Sequence, residues 1–247
     1  MVDLKNKNIL ITGASSGIGR AVAILCDQLG ASTCLTGRNT DELAKTASQF
    51  KNKSQQLVAD LTSESDIRQL VSSLPTLDGF VHCAGIINPM PIKFLKQKNI
   101  DDVMKINFNS AVLMSSALLS AKKLNDDASI VFLSSVSAEH PYTGGAMYTS
   151  SKAAIESFTK ALALETASKK MRVNAIAPAL VRTKIWDQAE EIYSKEEVAE
   201  IESRYPLGIG EPSDVANMIA FLLSSSGKWM TGSIIKMDGG LLLNNKI

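Results

Sequence analysis

Compact apolar runs recur along the chain at 8–12, 32–36, 56–59, 79–83, 129–133, 172–177 and 233–236, with helix-like spacing between most of them. The first run, Asn-Ile-Leu-Ile-Thr, stops at Gly13. A helical pattern then runs from Ile18 to Leu29 and closes at Gly30. Strand, glycine-rich turn and helix in alternation predict an α/β protein: a parallel sheet of about seven strands with helices on both faces. The unbroken apolarity of Ile130-Val131-Phe132-Leu133 suits a strand covered on both sides. Residues 111–121, interrupted by Ser115, Ser116 and Ser120, predict a buried helix too short to span roughly 30 Å of hydrocarbon.

No repeat, low-complexity tract or linker divides the chain, so 1–247 reads as a single domain. The rhythm breaks only at 184–209, a charged stretch containing Trp186, Ile192 and Tyr193 that ends at Pro206-Leu207-Gly208. An insertion there, between the sixth and seventh strands, reads as a substrate lid or as a helix burying its own face.

Composition narrows the field without choosing a fold. The 247 residues are 45% hydrophobic and 21% charged, enough for one sizeable core. The 26 basic and 25 acidic residues leave a charge of +1, so nothing points to nucleic acid or an anionic membrane. Cys26, Cys34 and Cys83 form no Cys-x-x-Cys, and His82 and His140 lie far apart. This argues against a disulfide framework or a metal site and for reduced thiols in a cytosol. The polar start, Met-Val-Asp-Leu-Lys-Asn, lacks a signal peptide's apolar run and fits the same cytoplasmic expectation.

Candidate chemistry begins at Gly13-Ala14-Ser15-Ser16-Gly17-Ile18-Gly19, between the first strand and the first helix. Glycines permit positive φ and remove the Cβ atoms that would block a pyrophosphate, while the helix N-terminus meets its charge. The spacing Gly-x-x-x-Gly-x-Gly differs from the commoner dinucleotide fingerprint. The second strand ends in Thr36-Gly37-Arg38-Asn39, where such folds often place a carboxylate on the ribose. Arg38 instead suits the 2′-phosphate of NADP(H), the bland alternative being a solvated loop residue. Asp60-Leu61 follows the third strand, with Asp60 placed to accept from an adenine amino group or to serve as a turn residue or cap before Ser63. Further on, Tyr148 and Lys152 are four residues apart and share a helix face. A neighbouring ammonium is expected to lower a phenol's pKa from about 10 toward the working range.

Taken together these motifs resemble the short-chain dehydrogenase/reductase family over essentially the whole chain. Gly13, Gly17 and Gly19 match its glycine motif, Tyr148 and Lys152 its Tyr-x-x-x-Lys, Ser135 its serine thirteen residues before the tyrosine, and Asn107 its helix asparagine. The resemblance implies a Rossmann fold and NADP(H), with Ser135 holding a substrate carbonyl and Tyr148 donating a proton. Lys152 would hold the nicotinamide ribose, and Asn107 would keep a water in a relay behind it. The cofactor set it implies also includes Ser15, Ser16, Ile18, Ala84, Gly85, Pro178, Val181 and Thr183.

Two departures stand out. His82-Cys83-Ala84-Gly85 replaces Asn-Asn-Ala-Gly, leaving His82 as either a structural substitute or a catalytic addition. Ala179 replaces the glycine of a Pro-Gly-x-x-x-Thr motif. Within the family the C-terminal Trp229-Met230-Thr231-Gly232 and Met237-Asp238-Gly239-Gly240 look most like bacterial 3-oxoacyl-carrier-protein reductases. An acidic acyl carrier protein would meet Lys122, Lys123, Lys169 and Lys170, although Asp126 and Asp127 oppose it. Alcohol, sugar or steroid oxidation and a catalytically idle nucleotide sensor are the rival readings, and a homotetramer built partly on the Tyr148 helix is the expected assembly.

Overall fold

In a computed structural model describing residues 2–52, 54–183, 186 and 194–243, seven strands form one parallel sheet in the order β3-β2-β1-β4-β5-β6-β7. They are β1 (Asn8–Thr12), β2 (Ser32–Gly37), β3 (Ser54–Val58), β4 (Leu77–His82), β5 (Leu124–Leu133), β6 (Arg172–Pro178) and β7 (Ile234–Met237). Each apolar run of the sequence lies in or overlaps one of them. Strands β4 and β5 begin earlier than the apolar density suggests, because Leu77 pairs with Leu124 ahead of a register shift before Gly79.

Residues alternate between two buried layers. Ile9, Ile11 and Val131 point toward helices α1 (Gly17–Gln28), α2 (Thr40–Ala47) and α8 (Pro212–Leu223), meeting Val22, Cys26, Leu43 and Ile219. Leu10, Phe80 and Phe132 point the other way, toward α3 (Glu64–Ser73), α5 (Ser110–Ser120) and α6 (Ala146–Thr166), meeting Leu70, Met114 and Ile155. Both faces are covered, as the continuous apolarity of 130–133 requires. Helix α5 is only half buried, with Ser116 and Ser120 exposed; on its buried face Ser115 turns its hydroxyl back onto the Ala111 carbonyl at 2.7 Å, so a serine there leaves no unpaired donor.

Two features position the site. The strand order reverses direction between β1 and β4, whose ends pair as Thr12 with His82, opening a crevice at the carboxyl ends of the strands. Between α4 (Gln97–Met104) and α5 the chain makes one wide turn, Lys105–Asn109, in which the Ser110 N–H reaches the Lys105 carbonyl.

Of the stretch at 184–209, Ile192 and Tyr193 lie outside the described residues. Helix α7 (Lys195–Ser203) opens with a reciprocal cap, Glu197 N–H to Ser194 Oγ at 3.2 Å and Ser194 N–H to Glu197 Oε2 at 2.8 Å. Arg182 ties α7 to the strand ends through Glu202 at 2.5 Å. Among the described residues no helix is long and apolar enough to cross a membrane.

Candidate active site

The chain passes from β1 into α1 within a few residues. Gly13 does so at φ +65°, and a Cβ there would lie 2.9 Å from the Ala84 amide nitrogen. The end of β1 thus sits against the segment after β4. Helix α1 also starts unlike its neighbours. Asn39 caps α2 with Asp41 and Glu42 in its first turn, and Ser63 caps α3 with Glu64 and Asp66. At α1 the N-cap Ser16 makes no side-chain cap and the first turn holds no acid. Its positive end is left for an external anion. Behind the turn, Arg20 donates to the Ser15 carbonyl, to Thr46 Oγ1 at 3.0 Å and to Glu42 Oε2 at 2.6 Å, while Thr46 Oγ1 donates to the Ala14 carbonyl at 2.9 Å.

Arg38, just past β2, is exposed at the rim of the crevice and has no hydrogen-bond or ion-pair partner among the described residues. Asp60 makes a turn contact: its Oδ1 accepts from the Thr62 N–H at 2.9 Å and the Thr62 hydroxyl at 2.8 Å. Ser63 is the helix cap, so the cap reading of Asp60 falls away, and Leu61 reaches the crevice.

Across the crevice, α6 brings Tyr148 and Lys152 one turn apart, with Nζ 5.6 Å from the phenol ring centroid. Ser135, at the end of β5, accepts from the Ser137 N–H at 3.2 Å and shares a hydrogen bond with Tyr148. Lys152 Nζ donates to the Leu133 carbonyl at 2.7 Å. Ser134 donates to Glu156 Oε1 at 2.8 Å, fastening α6 to β5. Asn107, in the wide turn, accepts from the Ile86 N–H at 2.8 Å and donates to the Ile86 carbonyl and to Ser151 Oγ, each at 3.0 Å. Ser151 donates in turn to the Tyr148 carbonyl at 2.6 Å. A Cβ on Gly85 would come 3.3 Å from Asn107 Oδ1 and 3.7 Å from Lys152 Nζ, so this position needs a small residue.

The electrostatics differ from expectation at Tyr148. Burial pushes the phenol up to about 12, the hydrogen bond from Ser135 offsetting part of this, where a lysine neighbour was expected to bring it down. Lys152 is buried as well, which brings it down to about 8, and its ammonium is directed to the Leu133 carbonyl. His82, buried beside that ammonium, falls to about 3 and stays neutral, while burial raises the Cys83 thiol to about 12.

One cavity of about 820 Å³ joins the two sides. It is lined by Gly13, Ser15, Ser16, Gly17, Ile18, Gly19, Arg38, Leu61, Ala84, Gly85, Ser135, Tyr148, Lys152, Pro178, Val181 and Thr183, all expected from sequence. Asp60 and Asn107 do not line it. Ala179 does not disrupt its segment, because Ala179 N–H bonds the Met237 carbonyl at 2.9 Å and Gly210 N–H bonds the Leu180 carbonyl at 3.1 Å. Sequence reasoning missed Tyr142, Ile86 and Ile87. Tyr142 had one signal, its place on a Gly-rich loop between Ser135 and Tyr148.

Comparison with known proteins gives the family. A family model described as "Enoyl-(Acyl carrier protein) reductase" matches residues 13–242. A 3-oxoacyl-[acyl-carrier-protein] reductase of Rickettsia felis is 33% identical over 98% of this chain and all of the relative, and one of Thermotoga maritima is 33% identical over 97% and 99%. Among solved structures, a short-chain dehydrogenase/reductase of Brucella melitensis titled glucose/ribitol dehydrogenase aligns with a TM-score of 0.90 at 30% identity, covering 97% of this chain and 98% of that one. A short-chain type dehydrogenase/reductase of Mycobacterium ulcerans aligns with a TM-score of 0.89 at 29% identity, covering 98% and 92%. The chain belongs to the short-chain dehydrogenase/reductase family of oxidoreductases.

Proposed function

We propose that this protein is an NADPH-dependent reductase that converts the ketone of a 3-oxoacyl thioester, or a related small carbonyl, to a secondary alcohol. The observation that carries the reading is the cluster of Ser135, Tyr148 and Lys152, two hydrogen-bonded hydroxyls and a buried ammonium on one wall of a cavity whose other wall is the glycine turn. The residues fit such a cofactor. The uncapped, acid-free start of α1 suits a pyrophosphate, unpaired Arg38 suits a 2′-phosphate, and Gly85 leaves room over Lys152.

When bound, the nicotinamide supplies a hydride. Ser135 Oγ holds the ketone oxygen, and Tyr148 gives that oxygen a proton as negative charge develops on it. A phenol held near 12 is fully protonated at neutral pH, so the acid is loaded before reaction. Lys152 would hold the ribose hydroxyls, and its ammonium, 5.6 Å from the Tyr148 ring centroid, adds positive charge beside the proton donor. The amide of Asn107 is engaged by Ile86 and Ser151, so its first contribution is to place the turn of α6 that carries Tyr148. Trp186 and Ile201 line the cavity, which supports closure of the segment 184–209 over an apolar chain.

Relatives named for 3-oxoacyl reduction across the full length favour the thioester. Reduction of an enoyl thioester is a second reading, favoured by the description of the matching family model, and sugar oxidation a third, favoured by the structure titled glucose/ribitol dehydrogenase. For an acidic carrier, Lys122, Lys169 and Lys170 are exposed, but Lys123 donates to the Leu74 and Ser72 carbonyls and is spent within the fold. Exposed Leu164 on α6 and exposed Trp229 favour assembly into a homotetramer, which light scattering checks. The substrate test follows NADPH absorbance with acetoacetyl and crotonyl thioesters, free and carrier-borne, with diketones and with ketosugars. Turnover of acetoacetyl thioester is the expected result. Turnover of crotonyl thioester alone would favour the second reading, and none with any substrate a nucleotide sensor.

A further inference from the structure

His82 ends β4 with 2% of its surface exposed, and its hydrogen bonds admit only one protonation pattern. Ser110 Oγ lies 2.6 Å from the Ile106 carbonyl, which can only accept, so the single serine proton goes there. Ser110 Oγ must therefore accept from His82 Nε2 at 3.0 Å, which places the ring proton on Nε2. The free Nδ1 then accepts from the Thr12 hydroxyl at 3.0 Å. Thr12 Oγ1, its proton used, accepts the Ala84 N–H at 3.2 Å. One directed chain thus runs from the Ala84 amide through Thr12, His82 and Ser110 to the Ile106 carbonyl.

Both ends of this chain border the reacting groups. Ala84 precedes Gly85, which lies over Lys152, and Ile106 precedes Asn107 in the wide turn that fixes Ser151 and Tyr148. Phe80 and Phe132 set their rings edge-on to the imidazole at centroid distances of 6.0 and 6.4 Å, enclosing it in apolar surface. Among the described residues the Lys152 ammonium is the charged group that acts on it, and the Cys83 thiol is its chain neighbour.

We propose that His82 is a positioning residue, a neutral Nε2–H imidazole whose two hydrogen bonds hold the Ala84–Gly85 backbone and the Ile106–Asn107 turn at the spacing that Lys152 and Tyr148 require. This rests on the reading of Tyr148 and Lys152 as the reacting pair. An imidazolium would present two donors and break the chain at Thr12, and an apolar ring would break it at both ends.

The test compares His82→Phe with His82→Gln, whose amide supplies one acceptor and one donor, well below their melting temperatures. His82→Phe is expected to lower kcat by about 30-fold through misplacement of the site, with the NADPH Kd changed by no more than about 3-fold. His82→Gln recovers most of the loss, and Ser110→Ala adds little to His82→Phe. Loss of melting temperature alone, with wild-type kcat in His82→Phe, overturns the proposal, as does failure of Gln to recover activity. Tyr148→Phe run in parallel separates the two claims: an inactive Tyr148→Phe beside a fully active His82→Phe sinks only the role of His82, whereas an active Tyr148→Phe sinks the reading beneath it. If His82→Phe does not fold, nitrogen-15 NMR of the wild type decides, since the chain has only two histidines and His140→Gln assigns them. An Nε2–H tautomer unchanged between about pH 8 and about pH 5 supports the proposal, and an Nδ1–H tautomer or an imidazolium overturns it.

Discussion

The two walls of the cavity are built from different materials. On the side of β1, β2 and α1 the elements proposed to recognise the nucleotide are backbone amides beside glycines and one exposed guanidinium. On the side of β5 and α6 they are buried side chains, with a phenol pushed up to about 12 and an ammonium brought down to about 8. The difference teaches where sensitivity resides. The nucleotide wall is tuned by shape and by one solvent-screened charge, so its residues should move affinity and cofactor choice. The reacting wall accepts a desolvation cost to hold acid and cation in fixed states, so its residues should move turnover and pH dependence.

The largest break in this division is expected from Tyr148→Phe, which removes the proton donor and leaves the ring. Turnover measured by NADPH oxidation should fall by about 10³-fold, the scale of general acid catalysis. Arg38→Asp acts on the opposite wall. Losing a charge-assisted contact and adding repulsion to a 2′-phosphate should lower the ratio of NADPH to NADH efficiency by about 100-fold, with kcat at saturating cofactor retained. An unchanged ratio would remove Arg38 from the cofactor site.

Smaller effects come from protonation. Reductive turnover should hold steady through neutral pH and decline above about pH 8, as the Lys152 ammonium loses its proton while Tyr148, near 12, keeps its own. A pH-rate profile that stays flat to pH 10 would contradict the charge assigned to Lys152. Protonation of His82 in acid acts on stability. Its folded pKa of about 3 lies below the ordinary 6.5, so the unfolded chain binds the extra proton first. That contribution is complete above pH 6.5 and is lost as pH falls toward 3, so the melting temperature should drop with acid less steeply in His82→Gln than in the wild type.

The sequence made the fold legible because burial on both sheet faces forces unbroken apolar strands, and runs such as 130–133 carry that signature without competing signals. The glycine turn was legible for a related reason, since Gly13 serves a backbone need that few other residues meet. The wide turn at Lys105–Asn109 was invisible because it depends on carbonyls and on one asparagine amide shared between Ile86 and Ser151. Periodicity does not record such contacts. The pKa of Tyr148 could not be read because spacing reports the nearness of Lys152 but not the burial of both groups. Asp60 illustrates another limit: its position suggested an adenine contact or a turn, and spacing could not show that Thr62, two residues on, donates twice to its Oδ1.

The division between the walls is tested most directly by the NADPH dissociation constant of Tyr148→Phe, read from a fluorescence titration beside its turnover. The account predicts a constant within about 3-fold of the wild type while turnover is lost, a binding difference of well under 1.4 kcal/mol. A dissociation constant that rises in step with the loss of turnover, or turnover at the wild-type rate, would contradict it.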